Sequence, residues 1–333
     1  MKLYVGFGSA LLVSALLLTF VQRPISERLR TLHDDGLRIA EVHERIAQDP
    51  RPIDIAFIGT SHTMNGIDDQ SIQENLAKNG LPAEVTNLGA MWMGRDLHLM
   101  LVRQLLAHKK PKMIILEINE HEPPYGHPLM PYVASASDMF CCSFWADFNF
   151  PKMYLLFLKE QLYGGLSRIW PAVNAKPAPT RTWQYGWDPI DRTWNPDVRH
   201  RRSLGDRLED AVGRGPRETA YRLVSTYGNE TVKQIAETAR ANGVPVVFLY
   251  LPEYAFAADP APDSLALYND LGPILLPPPE IVRDPSNWGD FAHLNRAGSL
   301  KIVPYLSTAI ADYFRAGVPT TRQRSFTSSA GRS

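Results

Sequence analysis

The stretch IAFIGTSHTMN, residues 55–65, begins with an apolar run and continues into small and polar residues. An apolar run that ends at once in a glycine, here Gly59, is typical of a buried strand leaving the sheet through a tight turn. Ser61 then stands where the strand would pass into a helix, and there an α/β enzyme can carry a nucleophile with its own N–H beside its hydroxyl. Ser also caps helices routinely, so this stretch alone leaves a plain N-cap open for Ser61.

The same alternation of apolar run and helical pattern recurs along the chain. The predicted strands are 55–58, 84–88, 113–118 and 244–251, and the predicted helices are 61–79, 95–110, 229–242 and one ending near residue 314. Strands separated by helices form parallel βαβ units, so we expect an α/β fold with helices on both faces of a parallel sheet. Ligands of such sheets gather at the carboxyl ends of the strands, where Ser61, Gly89 and Asn119 all fall.

The amino-terminal residues form a separate region. Residues 3–22 are uncharged and mostly apolar, and a length of about 20 residues suits a bilayer span, so we predict an uncleaved membrane anchor over 1–22. A cleaved signal peptide or a buried helix remains open. The Arg residues that follow weakly favour keeping the body in the cytoplasm. Residues 23–50 mix charged and apolar residues at helical spacing and predict a linker helix between anchor and domain.

Three further regions are identified by their composition. Residues 120–222 lack strand periodicity and are rich in Pro and aromatic residues, so we expect an insertion in the domain 51–315 that roofs or flanks the site. The basic patch at 199–202, RHRR including His200, fits a solvated face or an anion site. The polar residues 316–333 predict a disordered tail.

Composition excludes some classes of function. The 35 Lys and Arg residues balance the 35 Asp and Glu residues, so net charge gives no argument for a nucleic-acid partner. The two cysteines, Cys141 and Cys142, are adjacent, which supports neither a disulfide framework nor a zinc site. We therefore predict no metal and no cofactor.

A candidate base follows the last predicted strand. Asp290 and His293 stand three residues apart in DFAH, just before the last helix. A serine hydroxyl needs a base to accept its proton, and an Asp beside the imidazole fixes its tautomer, so Ser61, His293 and Asp290 suit a catalytic triad. The alternative is a surface pair that caps a helix.

Three donors could stabilise an oxyanion. The N–H groups of Ser61 and Gly89 and the side-chain amide of Asn119 fall at the ends of three successive predicted strands. Taken singly, Gly89 is better explained as a turn glycine and Asn119 as a loop hydrogen-bonding residue.

These residues together resemble the SGNH (GDSL-type) hydrolase superfamily. Its four blocks carry a nucleophilic Ser, an oxyanion Gly, an oxyanion Asn and Asp-x-x-His, which match Ser61 in GTSH, Gly89 in NLGA, Asn119 in EINE and DFAH. The resemblance covers about residues 50–120 and 225–315 and implies a three-layer, flavodoxin-like sheet. Two departures are Thr60, where the family usually has Asp, and Ile118 before Asn119 in place of the usual glycine context.

The GTSH form together with an anchor is similar to membrane-anchored SGNH-like proteins of bacterial polysaccharide O-acetylation and teichoic acid D-alanylation. That resemblance implies a single-pass inner-membrane protein with a periplasmic or other extracytoplasmic domain, a carbohydrate substrate and a multi-span membrane acyltransferase as partner. The expected function is a serine acyltransferase or acylesterase. The alternatives are a plain lipase or thioesterase, and a non-catalytic scaffold or polysaccharide-binding protein.

Two aromatic residues near the predicted site have open roles. His62, next to Ser61, suits a contact with the acceptor or packing on the helix start. Trp288, two residues before Asp290, suits stacking on a sugar face or packing within its loop.

Overall fold

Five short strands form one parallel sheet in the computed structural model, which describes residues 25–29, 37–119, 122, 125–135, 138–139, 149–170, 185–195, 216–254 and 262–316. The strands are β1 Ile55–Ile58, β2 Val85–Asn87, β3 Met113–Ile118, β4 Val246–Tyr250 and β5 Ile274–Leu275. Their order in the sheet is β2-β1-β3-β4-β5, and every neighbouring pair is parallel. The first four lie where the apolar runs predict them, whereas β5 lies between the last predicted strand and the last predicted helix, where no strand was predicted.

Helices cover both faces of this sheet. In the described ranges they are α1 Ile25–Leu29, α2 Leu37–Ala47, α3 Ser61–Gly66, α4 Asp69–Lys78, α5 Arg95–His108, α6 Met130–Val133, α7 Phe150–Ile169, α8 Pro216–Ala241, α9 Pro262–Asn269, α10 Pro279–Val282 and α11 Arg296–Arg315, with a 3₁₀ turn at Pro285–Asn287. Helices α4 and α11 pack on one face, and α2, α5 and α8 on the other. The predicted α/β fold with a parallel sheet and helices is therefore confirmed.

The alternation of side chains along the strands explains the two cores. In β1, Ile55 and Phe57 join the core under α4 and α11, whereas Ala56 and Ile58 join the core under α2, α5 and α8. All four residues are buried, because each face of the strand is covered by a helix layer. Burial on both faces gives the continuous apolar runs from which the strands were predicted.

Two predicted helices differ in extent from the observed ones. The single helix predicted over 61–79 is two helices, α3 and α4, because Asp68 starts a new one: its Oδ1 accepts a hydrogen bond of 2.9 Å from the N–H of Ser71. The helix predicted from residue 229 begins at Pro216, inside the predicted insertion.

The segment predicted as a linker helix is two helices packed on the domain. Leu29 of α1 and Ile39, Val42 and Ile46 of α2 are buried in the core that α5 and α8 share. Arg38 of α2 reaches the sheet edge and donates to the carbonyl oxygens of Gly89 and Asn87. Residues 37–47 are thus part of the domain's core.

Several predicted features lie outside the described residues. These are the anchor at 1–22, Cys141 and Cys142, the basic patch at 199–202, and the tail from residue 317. Among the helices of the described ranges, none combines the length and the apolarity that crossing a bilayer requires.

Residues 185–195, which we call the strap, lie across the carboxyl edge of the sheet. The N–H of Asp188 donates to the carbonyl oxygen of Met64 over 3.1 Å, and Asn65 Nδ2 donates to the carbonyl oxygen of Asp188 over 2.6 Å. Trp187 Nε1 donates to the carbonyl oxygen of Asn65 over 2.7 Å. The strap is the described part of the insertion that flanks α3.

Candidate functional site

Ser61 is the first residue of α3, immediately beyond the turn that follows β1. The N-cap of α3 is Thr60, whose Oγ1 accepts a hydrogen bond from the N–H of His62 over 3.2 Å. Capping therefore falls to Thr60, and the hydroxyl of Ser61 is directed to another partner. The N-cap role that the sequence left open for Ser61 is therefore excluded.

That partner is His293. Ser61 Oγ lies 2.8 Å from His293 Nε2, and His293 Nδ1 lies 2.8 Å from Asp290 Oδ1. Because a carboxylate only accepts hydrogen bonds, Nδ1 carries the proton and Nε2 is left to accept the proton of Ser61. The three residues predicted as a triad thus form one continuous hydrogen-bonded chain.

The loop around Asp290 fixes its carboxylate. Oδ1 also accepts hydrogen bonds of 2.9 Å from the N–H groups of Ala292 and His293. Burial alone would raise the pKa of Asp290, but the hydrogen bonds from the His293 ring and the N–H of Ala292 outweigh it, and the pKa lies well below the ordinary 3.8. Asp290 therefore stays ionised at neutral pH, as the stabilisation of an imidazolium requires.

A residue of the strap completes the surroundings of Asp290. Arg192 donates from Nη2 to Asp290 Oδ2 over 3.1 Å and from Nε to the carbonyl oxygen of Gly289 over 3.0 Å. Gly289 packs so closely on the strap that an added Cβ would overlap Ile190. The sequence gives no signal for Arg192, because the contact joins residues 98 apart in the chain.

The predicted oxyanion donors have different surroundings. As the first residue of α3, Ser61 has no intrahelical acceptor for its N–H. Asn119 is 5% exposed, and its Nδ2 is a buried donor with no partner among the described residues. Asn119 directly follows β3, and Ser61 lies just beyond β1, the strand that pairs with β3. A buried amide without an acceptor at this point suits an oxygen brought by a ligand.

The N–H of Gly89, unlike that of Ser61, already has a hydrogen-bond acceptor within the protein. Its N–H donates to Asn87 Oδ1 over 2.9 Å, so the main-chain donor predicted for an oxyanion is engaged within the protein. A Cβ at this position would lie 2.5 Å from the main-chain nitrogen of Met64, which makes glycine necessary for the close approach of β2 to α3. The contact of Gly89 with an oxyanion stays a prediction, while its close packing against Met64 is observed.

Glu117 supports the turn that carries Ser61. Glu117 was not singled out from the sequence. Its buried carboxylate accepts hydrogen bonds from the N–H and the hydroxyl of both Thr60 and Thr63, over 2.5 to 3.1 Å. These bonds hold the turn on either side of Ser61. The available signal was one acidic residue in the otherwise apolar strand MIILEI.

His62 and Trp288 occupy contrasting positions. The ring of His62 lies 5.3 Å from that of His293 and nearly perpendicular to it, and its Nδ1 donates to the carbonyl oxygen of Leu251 over 3.2 Å. Trp288 is 1% exposed, donates from Nε1 to the carbonyl oxygen of Val282, and packs edge-on against Tyr254. This burial argues against the predicted contact of Trp288 with sugar and agrees with the packing alternative.

An exposed aromatic residue lies near this edge of the sheet. Trp92 follows Gly89 by three residues, is 55% exposed, and has a φ of 70°, which is uncommon for a residue with a side chain. Gly94, with a φ of 152°, packs against the main chain of His127. No pattern in the sequence singles out Trp92, since its exposure depends on the fold of this turn.

The arrangement has the parts that acyl transfer needs: a hydroxyl hydrogen-bonded to an imidazole, an ionised carboxylate beside that imidazole, and hydrogen-bond donors beyond the neighbouring strands β1 and β3. Among the described residues, no three or more His, Cys, Asp or Glu side chains are grouped so as to hold a metal ion. Compared with models of protein families, with curated proteins and with solved structures, the chain matches none.

Proposed function

We propose that this protein is a serine acyltransferase or acylesterase of SGNH type that acts on carbohydrate outside the cytoplasmic membrane. The observation that carries the proposal is the chain of two 2.8 Å hydrogen bonds from Ser61 through His293 to Asp290. The strand order β2-β1-β3-β4-β5 supports it, because this is the flavodoxin-like order whose ligands bind beyond the carboxyl ends of β1 and β3. Ser61 and Asn119 follow those two strands.

In the first half-reaction, Ser61 Oγ attacks the carbonyl carbon of an acyl donor while its proton passes to His293 Nε2. The carbonyl oxygen becomes an oxyanion, which accepts hydrogen bonds from the N–H of Ser61 and from Asn119 Nδ2. The intermediate then collapses, the bond to the leaving group breaks, and His293 protonates the departing oxygen. The product is an ester of the Ser61 hydroxyl.

In the second half-reaction, an acceptor hydroxyl loses its proton to His293 Nε2 and attacks the acyl carbon of the ester. Collapse breaks the bond to Ser61 Oγ, which takes the proton back. A sugar hydroxyl as acceptor gives transfer, and water gives hydrolysis. The same residues serve both outcomes, so the exclusion of water decides between them.

The carbohydrate acceptor, the extracytoplasmic location and the partnership with a multi-span acyltransferase rest on the resemblance of GTSH, NLGA, EINE and DFAH to the SGNH-like proteins of cell-surface acylation. The exposed ring of Trp92 gives the acceptor an aromatic face of the kind on which sugars stack. The apolar residues 3–22 provide the anchor.

Turnover of an aryl acetate tests this proposal. We expect the full-length protein to release the phenol and Ser61→Ala to release it at the background rate. The Ser71 hydroxyl donates to Asp68 and not to a triad residue, so Ser71→Ala should match the wild type. With an oligosaccharide present, mass spectrometry should find the acetylated sugar. Free acetate without acetylated sugar would remove transfer to that acceptor, and no phenol release above background would contradict the function itself.

A further inference from the structure

Helix α7 presents an exposed apolar face. Leu155 is 65% exposed, Leu162 46%, Tyr163 45%, Leu166 47% and Trp170, at the end of the helix, 68%. At 3.6 residues per turn these five side chains project within an arc of roughly 100°. Isolated exposed apolar residues are ordinary, but a continuous stripe of this kind marks a surface that binds something.

The opposite side of α7 is packed normally. Met153 and Phe157 are buried in the core, and Glu160 and Gln161 are buried with them. Helices α6 and α1 contact α7 on that side. The helix is therefore firmly seated, and its exposed stripe is a property of the folded domain.

The charges on the exposed stripe are all positive among the side chains that the structure describes. Lys152 and Lys159 are exposed within the same arc, and Lys159 Nζ lies 5.6 Å from the centre of the Tyr163 ring. Glu160 is the one acidic residue in the sequence of α7, and it is buried. An apolar face flanked by lysines and carrying Tyr and Trp has the composition of helices that lie in the interface of an anionic bilayer.

The contact of α1 with α7 favours a bilayer as the occupant of this surface. Residues 3–22 are uncharged and mostly apolar, and α1 begins at Ile25. Helix α1 contacts α6 and α7, and Arg28 holds it there through hydrogen bonds to the carbonyl oxygens of Pro131 and Ala134. A chain that leaves a bilayer before Ile25 thus arrives beside α7.

We propose that the stripe formed by Leu155, Leu162, Tyr163, Leu166 and Trp170 lies in the interface of an anionic phospholipid bilayer. The leucines contact acyl chains, Tyr163 and Trp170 lie at the level of the headgroups, and Lys152 and Lys159 contact lipid phosphates. The stripe would seat the domain on the membrane surface in one orientation. This inference does not depend on acyl transfer, and its test measures contact with lipid alone.

Quenching of Trp170 by lipid tests it. The full-length protein is reconstituted in vesicles of phosphatidylcholine and phosphatidylglycerol, with a part of the lipid brominated on its acyl chains, and tryptophan emission is recorded. Because the chain has 7 Trp residues, the contribution of Trp170 is the difference between the wild type and Trp170→Phe. We expect that difference to be strongly quenched, and the difference for Trp92→Phe, which removes an exposed Trp at the edge of the sheet, to be quenched much less.

Charge substitutions supply the second part of the test. The double variant Leu155→Glu/Leu166→Glu should lose the quenched component of Trp170. The matched control Leu300→Glu, at a leucine 45% exposed on α11 in the other helix layer, should retain it. Circular dichroism checks that each variant is folded. Emission of Trp170 that brominated lipid leaves unchanged, as expected if residues 3–22 or a second copy covered the stripe, would overturn the proposal, as would equal loss in the α7 and α11 variants.

Discussion

At the scale of single residues, His293 is the centre of the account. Its Nδ1 proton is fixed by Asp290, so its Nε2 is available to the hydroxyl of Ser61 at 2.8 Å. Thr60 is the N-cap of α3, so the Ser61 hydroxyl is not needed to cap the helix. The depressed pKa of Asp290 keeps its carboxylate charged at neutral pH.

An isosteric substitution of Asp290 tests whether this residue orients the His293 ring. Asp290→Asn keeps the size of the side chain but offers an amide to Nδ1, which favours the wrong tautomer of His293. We expect kcat for an aryl acetate to fall by about 10² to 10⁴-fold, with a smaller change in KM. Steady-state kinetics measures this.

The control is Asp284→Asn in the same loop, where Asn still caps the 3₁₀ turn at Pro285–Asn287. It should keep the wild-type kcat. An Asp290→Asn protein as active as the control would show that Asp290 does not orient the base.

At the scale of elements, the important contact joins β3 to the turn after β1. Glu117 fixes Thr60 and Thr63 on either side of Ser61, and Asn87 at the end of β2 donates to the carbonyl oxygens of Thr63 and Ile67 of the same segment. Short helix α3 is thereby held by both neighbouring strands. The position of Ser61 is set by the sheet more than by its own helix.

Replacing Glu117 tests that support. In Glu117→Gln one acceptor oxygen becomes an amide donor facing N–H and hydroxyl groups that need acceptors, so we expect a loss of about 1–3 kcal/mol in the free energy of unfolding. The displaced turn should also lower kcat by roughly 10-fold or more. Urea denaturation and esterase kinetics measure the two effects.

Glu160→Gln is the matched control, since it alters a buried glutamate in α7, outside the site. It should lose stability without a loss of kcat. A Glu117→Gln protein with the wild-type kcat would assign Glu117 to stability alone.

Much of this architecture was predictable from local pattern. Strands β1 to β4 are buried on both faces and so appear as apolar runs. The placement of DFAH after the last predicted strand and before the last helix led to the prediction that Ser61, His293 and Asp290 form a triad. Strand β5 was missed because it has two residues, which is too short for any periodicity. Glu117, Arg192 and Trp92 were missed because their roles depend on contacts between distant segments or on the conformation of one turn.

At the scale of the whole molecule, the buried histidines His127 and His98 make the stability of the fold depend on pH. His127 donates from Nε2 to the carbonyl oxygen of Met91 over 2.7 Å and accepts at Nδ1 from the N–H of Leu129 over 3.1 Å. Burial lowers the pKa of His127 from 6.5 to about 4, and burial also lowers the pKa of His98. Both imidazoles are neutral in the folded protein.

Stability should therefore fall on mild acidification. Below pH 6.5 the unfolded chain binds a proton at His127 that the folded protein does not bind until about pH 4. The free energy of unfolding therefore falls by about 3 kcal/mol over that window. Urea unfolding between pH 7 and 4 should show a shallower decline in His127→Gln. His108→Gln, at an exposed position on α5, should retain the full slope, and equal slopes in the two variants would contradict this assignment.

Covalent labelling tests whether Ser61 is a nucleophile activated by His293. A fluorophosphonate should phosphonylate the full-length wild-type protein, and peptide mass spectrometry should locate the adduct on Ser61, with labelling lost in Ser61→Ala and retained in Ser71→Ala. A wild-type protein that stays unlabelled, or a Ser61→Ala protein labelled at the wild-type rate, would contradict the account.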